Sequence, residues 1–113
     1  MRARILPKDE SLTKLKWHTA TAKPTPASKP DGDPFLVVFI NRSKATVKLH
    51  WVDQSGTPRS YGEVATGKRK RQQSRPGAVW LITDESDQPL GHFIVGDRTA
   101  QAVIPARVKK TND

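Results

Sequence analysis

Apolar positions in this chain fall into short runs divided by turn residues, and the pattern changes character at residue 35. Phe35-Leu36-Val37-Val38-Phe39-Ile40 is a continuous apolar run rich in β-branched and aromatic residues. Such a run favours a pleated surface, and it ends at Asn41-Arg42-Ser43, which is turn chemistry. The next stretch alternates with period 2: Ala45, Val47, Leu49 and Trp51 share one face, and Thr46, Lys48, His50 and Val52 share the other. That is the signature of a half-buried strand. Asp53-Gln54-Ser55-Gly56-Thr57-Pro58 supplies a turn, and the polar stretches Arg59–Glu63 and Arg69–Ser74 fit edge strands. Pro76-Gly77 marks another turn. Ala78–Thr83 is a strong strand, stopped by the acidic loop Asp84-Glu85-Ser86-Asp87. Gly91–Val95 and Ala100–Ile104 follow, divided at Gly96-Asp97 and closed by Pro105. No stretch keeps helical spacing over three turns. Short strands with turn signals about every 8–12 residues predict an all-β fold, a small antiparallel β-sandwich of about seven strands. The expected core is Leu36, Val38, Ile40, Val47, Leu49, Val79, Leu81, Phe93, Val95 and Val103. In this parity Trp51 faces in, while Trp80 opposes Val79 and Leu81 and faces out.

Three segments follow from the same pattern. Residues 35–105 form the domain and residues 106–113 a loose basic tail. Residues 1–34 are an N-terminal segment ending in a linker. Within residues 19–34 four prolines alternate with Ser, Thr, Ala and Lys, and no large apolar residue occurs. Proline fixes φ and lacks an N–H, so this stretch favours extended, solvated, disordered backbone. Upstream lie Ile5, Leu6, Leu12, Leu15 and Trp17. They suit either one helical turn after Ser11 or a strand that docks on the domain.

Composition narrows the class. The chain has 113 residues, 35% apolar and 27% charged, with 20 Lys+Arg against 11 Asp+Glu and a net charge of +9. A balance this basic favours anionic partners without defining a fold. No run approaches the ~18 apolar residues of a membrane span, and the N-terminus lacks the apolar core of a secretory signal. A cytoplasmic protein with no membrane partner is expected. Cysteine is absent, which excludes disulfides, thiolate metal sites and thiol nucleophiles.

The string from Val37 to Asp84 resembles the β-domain of the von Hippel–Lindau tumour suppressor family. The landmarks are Phe39-Ile40-Asn41-Arg42-Ser43, Trp51, Gly56, Pro58, Tyr61, Gly67, Arg71, Ser74, Gly77, Trp80, Leu81 and Asp84, in register without a gap. Beyond Asp84 the likeness loosens, and nothing is carried over there. The resemblance implies recognition of an extended peptide along a strand edge, with a 4-hydroxyproline entering a small pocket. It assigns the pocket walls to Trp51, Tyr61 and Trp80, and the contact to the ring hydroxyl to Ser74. The family's histidine partner for that hydroxyl is Ala78 here. A second family histidine near the pocket is Gln73, and a neighbouring tyrosine is Arg75. The implied partner is a protein or peptide with a proline or hydroxyproline segment, in a non-catalytic role. The family's helical α-domain, which recruits elongin C, has no counterpart in the pattern, so elongin C is not expected as a partner.

Other chemistry is sparse. Lys68, Arg69, Lys70, Arg71 and Arg75 make a basic patch, read either as a solvated edge strand or as a phosphate contact for nucleic acid. Nucleic-acid binding through residues 68–75 is the alternative function. His18, His50 and His92 show no metal-ligand spacing, and the acidic loop lacks the calcium-loop pattern. No serine has a placed histidine, and there is no phosphate-cradling glycine loop. Neither cofactor, metal nor catalytic residue is expected.

Overall fold

A computed structural model describes residues 9–106 of the chain. Except for Ala106, the expected basic tail lies outside the described residues, as do Ile5 and Leu6. A 3₁₀ turn at Asp9–Ser11 precedes nine strands: β1 (Thr13–Lys14), β2 (His18–Thr19), β3 (Phe35–Asn41), β4 (Val47–Val52), β5 (Pro58–Val64), β6 (Arg69–Ser74), β7 (Val79–Thr83), β8 (Pro89–Ile94) and β9 (Ala100–Ile104). They form two sheets, ordered β1-β9-β3-β6 and β2-β8-β7-β4-β5. The all-β sandwich is therefore present, with nine strands rather than about seven. The two extra strands come from the N-terminal segment. Leu12, Leu15 and Trp17 thus belong to the docking alternative, with β1 beside β9 and β2 beside β8. The pairing is antiparallel except at β9, which runs parallel to both β3 and β1. A chain that enters one sheet at β3 and returns to it at β9 after visiting the other sheet can re-enter in either direction, and hairpin signals do not report which.

The core between the sheets contains Val37, Phe39, Val47, Leu49, Val64, Ala78, Trp80, Ile82, Leu90, Phe93, Val95, Ala102 and Ile104. Val38, Ile40, Val79 and Leu81 are buried as expected, but the face turned to the centre differs from the expected parity in three strands. In β3, Val37 and Phe39 face the core, and Leu36 is 48% exposed. In β7 it is Trp80 and Ile82, while Val79 and Leu81 join Val52 in a small cluster of their own. In β9 it is Ala102 and Ile104 rather than Val103. β3 and β7 are apolar on both faces, so alternation carries no information there about which face points in, whereas in β9 Gln101 shares the face of Val103 and marks it as the outer one. A one-residue slip then inverts the whole set. In β4 one face is polar, and Val47 and Leu49 point inward as expected.

Two buried polar residues hold the loops. Asn41, fully buried, donates from Nδ2 to the carbonyls of Ala45 and Val64, both at 2.8 Å, and accepts from the Ser43 amide at 2.9 Å. It ties the β3–β4 turn to the end of β5. Asp53 accepts from the amides of Ser55 and Thr57, each at 2.9 Å, from the Ser55 hydroxyl, and from Arg59 Nε at 2.8 Å. These donors, the Ser55 hydroxyl foremost, hold its carboxyl well below the usual carboxylate range.

Beyond Thr19 the proline-rich stretch contains no strand, but its second half is fastened to the domain. Ser28 N–H donates to Val52 O, and Ser28 Oγ accepts from Val79 N–H at 2.7 Å. Lys29 N–H donates to Gly77 O, and Asp31 N–H to Pro76 O. Arg75 Nη1 donates to Gly32 O at 2.8 Å. Gly77, at φ +82°, makes this close approach feasible, because a Cβ there would collide with the Lys29 carbonyl oxygen.

Candidate functional site at the open end of the sandwich

Trp51 and Trp80 are direct cross-strand partners on β4 and β7, so their side chains leave the sheet on the same face. The expectation that one faces in and the other out is thereby corrected; the error is the inverted parity of β7. Trp80 is buried at 2% exposure, and Trp51 is half-buried at the edge of the core. Tyr61, on the outermost strand β5, sets its ring edge-on to Trp80, with centroids 5.2 Å apart and planes at 83°. Ser74 arrives from the opposite sheet, at the last position of β6, and accepts a hydrogen bond from Trp80 Nε1 at 3.0 Å. This bond satisfies the buried indole N–H and leaves the serine's own proton free to donate elsewhere.

These side chains surround a cavity of about 270 Å³ lined by Pro30, Trp51, Tyr61, Gln73, Ser74, Arg75, Ala78 and Trp80. All six pocket positions singled out from the sequence line it. Pro30 was missed. It belongs to a stretch whose composition reads as linker, and its placement follows from the Ser28–Gly32 fastening. A second depression of about 250 Å³, lined by Pro34, Tyr61, Gln72, Gln73, Ser74 and Arg75, shares four residues with the first. The two make a groove running from the aromatic pocket along the end of β6, which is the free edge of its sheet.

The basic patch is not one surface. β6 alternates its side chains between faces. Arg69 and Arg71 turn to the Asp9 carboxylate, at 2.7 and 2.9 Å. The hydrogen bond from Arg69, with the charge of both guanidiniums, holds the Asp9 carboxyl below its ordinary range. Lys70 turns the other way and donates to the Tyr61 carbonyl, and Arg75 is held by Gly32. The N-terminal segment thus supplies a carboxylate to two of the five basic side chains. Among the described residues no group of three or more metal-ligating side chains occurs, and no helix is long and apolar enough to cross a membrane.

The family model for the VHL beta domain matches residues 28–93, more than half of the chain. The chain belongs to the VHL beta domain family. A search of curated proteins found no match. The VHL beta domain is a substrate-recognition domain, which makes protein binding the function class of this fold. The match begins at Ser28, the first residue of the fastened stretch, so the Pro30 wall lies inside the VHL beta domain region.

Proposed function

We propose that this domain binds, without catalysis, an extended peptide carrying proline or 4-hydroxyproline, with the ring held by Trp51, Tyr61 and Trp80. The observation that carries this reading is the groove: an aromatic pocket continuous with a free strand edge. A cavity of about 270 Å³ falls just under the ~300–1,000 Å³ typical of small-molecule sites and suits one side chain of a longer ligand. A pyrrolidine ring presents C–H edges to the negative faces of aromatic rings. An extended ligand pairs its backbone with a free strand edge. Arg75 at the rim and Lys70 beside Tyr61 favour acidic residues flanking the ring.

Ser74 decides how the hydroxyl is read. Its oxygen already accepts from Trp80, so it offers a ligand one O–H donor. A ring hydroxyl accepts that bond, but its own proton finds a methyl group at Ala78. One neutral hydrogen bond contributes about 1 kcal/mol net, equivalent to roughly fivefold in affinity. The preference for hydroxyproline over proline is therefore expected at about that level. Tryptophan fluorescence titration with matched proline and hydroxyproline peptides tests this. Saturable binding that disappears in folded Trp51→Ala supports the site. Absence of binding by either peptide rejects it.

A further inference from the structure

We infer that the face of the second sheet opposite the aromatic pocket carries a separate cleft for a phosphate monoester group. The fold gathers there what the sequence scatters. His18 and His92 are cross-strand partners on β2 and β8, His92 pairs with Leu81 on β7, and Leu81 pairs with His50 on β4. All three histidines of the chain thus stand in one transverse row. The His18 and His92 rings stack, with centroids 4.7 Å apart and planes at 8°. They border a cleft of about 370 Å³ whose lining includes His18, Thr19, Lys23, Thr25, Leu81 and His92, and no carboxylate lines it.

Both rings are half-buried, and neither makes a hydrogen bond among the described residues. The Lys23 ammonium likewise has no ion-pair partner there. The cleft therefore gathers two imidazoles, an ammonium and threonine residues, groups of a kind that donate to an anion. Burial lowers the His92 pKa, and the neighbouring His18 lowers it further. A phosphate dianion opposes both effects by pairing with protonated His92, so binding and proton uptake are coupled there. The charged groups around the pair are few. Lys23 borders the cleft. His50 stands beyond Leu81, held by Thr83 Oγ1 at 2.9 Å, with Lys48 and Asp87 near it. A divalent metal fits less well, since the cleft brings two imidazoles, a cation and no carboxylate.

The test follows the imidazole signals of the full chain by NMR during titration with inorganic phosphate, adenosine monophosphate and a phosphoserine peptide. The expected result is an upward shift of the His92 pKa, with the His18 ring signals perturbed and those of His50 unmoved. His92→Ala and Lys23→Ala should each weaken binding at least tenfold, and Arg71→Ala, on the far edge, should leave it unchanged. Lys23 is exposed, so its variant keeps the fold. Tighter binding of the nucleotide marks a small-molecule site, and tighter binding of the peptide marks a phosphoprotein site; either supports the cleft. Imidazole signals unmoved by all three probes would overturn it. So would equal loss in Arg71→Ala, or a response to zinc ions alone that strengthens as pH rises.

Discussion

The aromatic pocket and the histidine cleft lie on opposite faces of the second sheet and share strand β7, and they are built from different material. The pocket is made of core residues: Trp80, Ser74 and Ala78 are all buried, and Trp80 packs on Phe39 as well as Tyr61. The cleft is made of half-buried and exposed side chains, laid together by docking of a two-residue strand. Changes to those deep walls are consequently also changes in stability, whereas Tyr61, Gln73 and Arg75 at the mouth are exposed. The cleft depends on a segment with few contacts, and its chemistry can be altered with little cost to the fold.

Substitutions should separate the two regions by size of effect. Trp80→Ala removes a buried aromatic ring and the donor to Ser74, with an expected loss of about 3–5 kcal/mol in urea unfolding. His18→Ala should cost far less, and comparable losses for the two would break the contrast. Gly77→Ala forces a left-handed φ and a clash with the Lys29 carbonyl. It should cost about 1–3 kcal/mol and move the Pro30 wall, weakening peptide binding more than the stability change alone explains. Ser28→Ala leaves the Val79 N–H without its partner, costing about 1–3 kcal/mol in the same assay. Trp51→Ala should be milder for stability, because that ring is half-buried, yet remove at least tenfold of peptide affinity.

The smallest effect is with pH. His50 and His92 both have lowered pKa values, chiefly through burial, so the unfolded chain takes up protons first as pH falls through about 6.5. Their contribution is complete above that value and declines below it. Thermal unfolding at pH 7.5 and 5.5 should show a lower Tm in acid. His92→Asn should shallow that slope, whereas a pocket variant such as Trp51→Ala should leave the slope as it is.

Much of this was legible in residues 35–104. Strand positions followed from apolar runs and turns, and the pocket positions from the resemblance to the VHL beta domain. What the pattern left open was facing. β3 and β7 are apolar on both sides, so Trp80 was turned outward when it lies beside Trp51. Contacts distant in sequence were equally hidden. Pro30 reads as linker because its role depends on Gly77 and Pro76, over forty residues away. His18 and His92 become neighbours only through the β2–β8 pairing. Asp9 pairs with both Arg69 and Arg71 from sixty residues away, which a run of basic residues cannot announce.

The most direct test of the central claim is a fluorescence titration of the intact chain with matched proline and 4-hydroxyproline peptides in an acidic-flanked, extended context, repeated with Trp51→Ala. The account predicts saturable binding of both, a hydroxyproline preference of roughly fivefold, and loss of both in a variant that stays folded. Unchanged affinity in folded Trp51→Ala would contradict it.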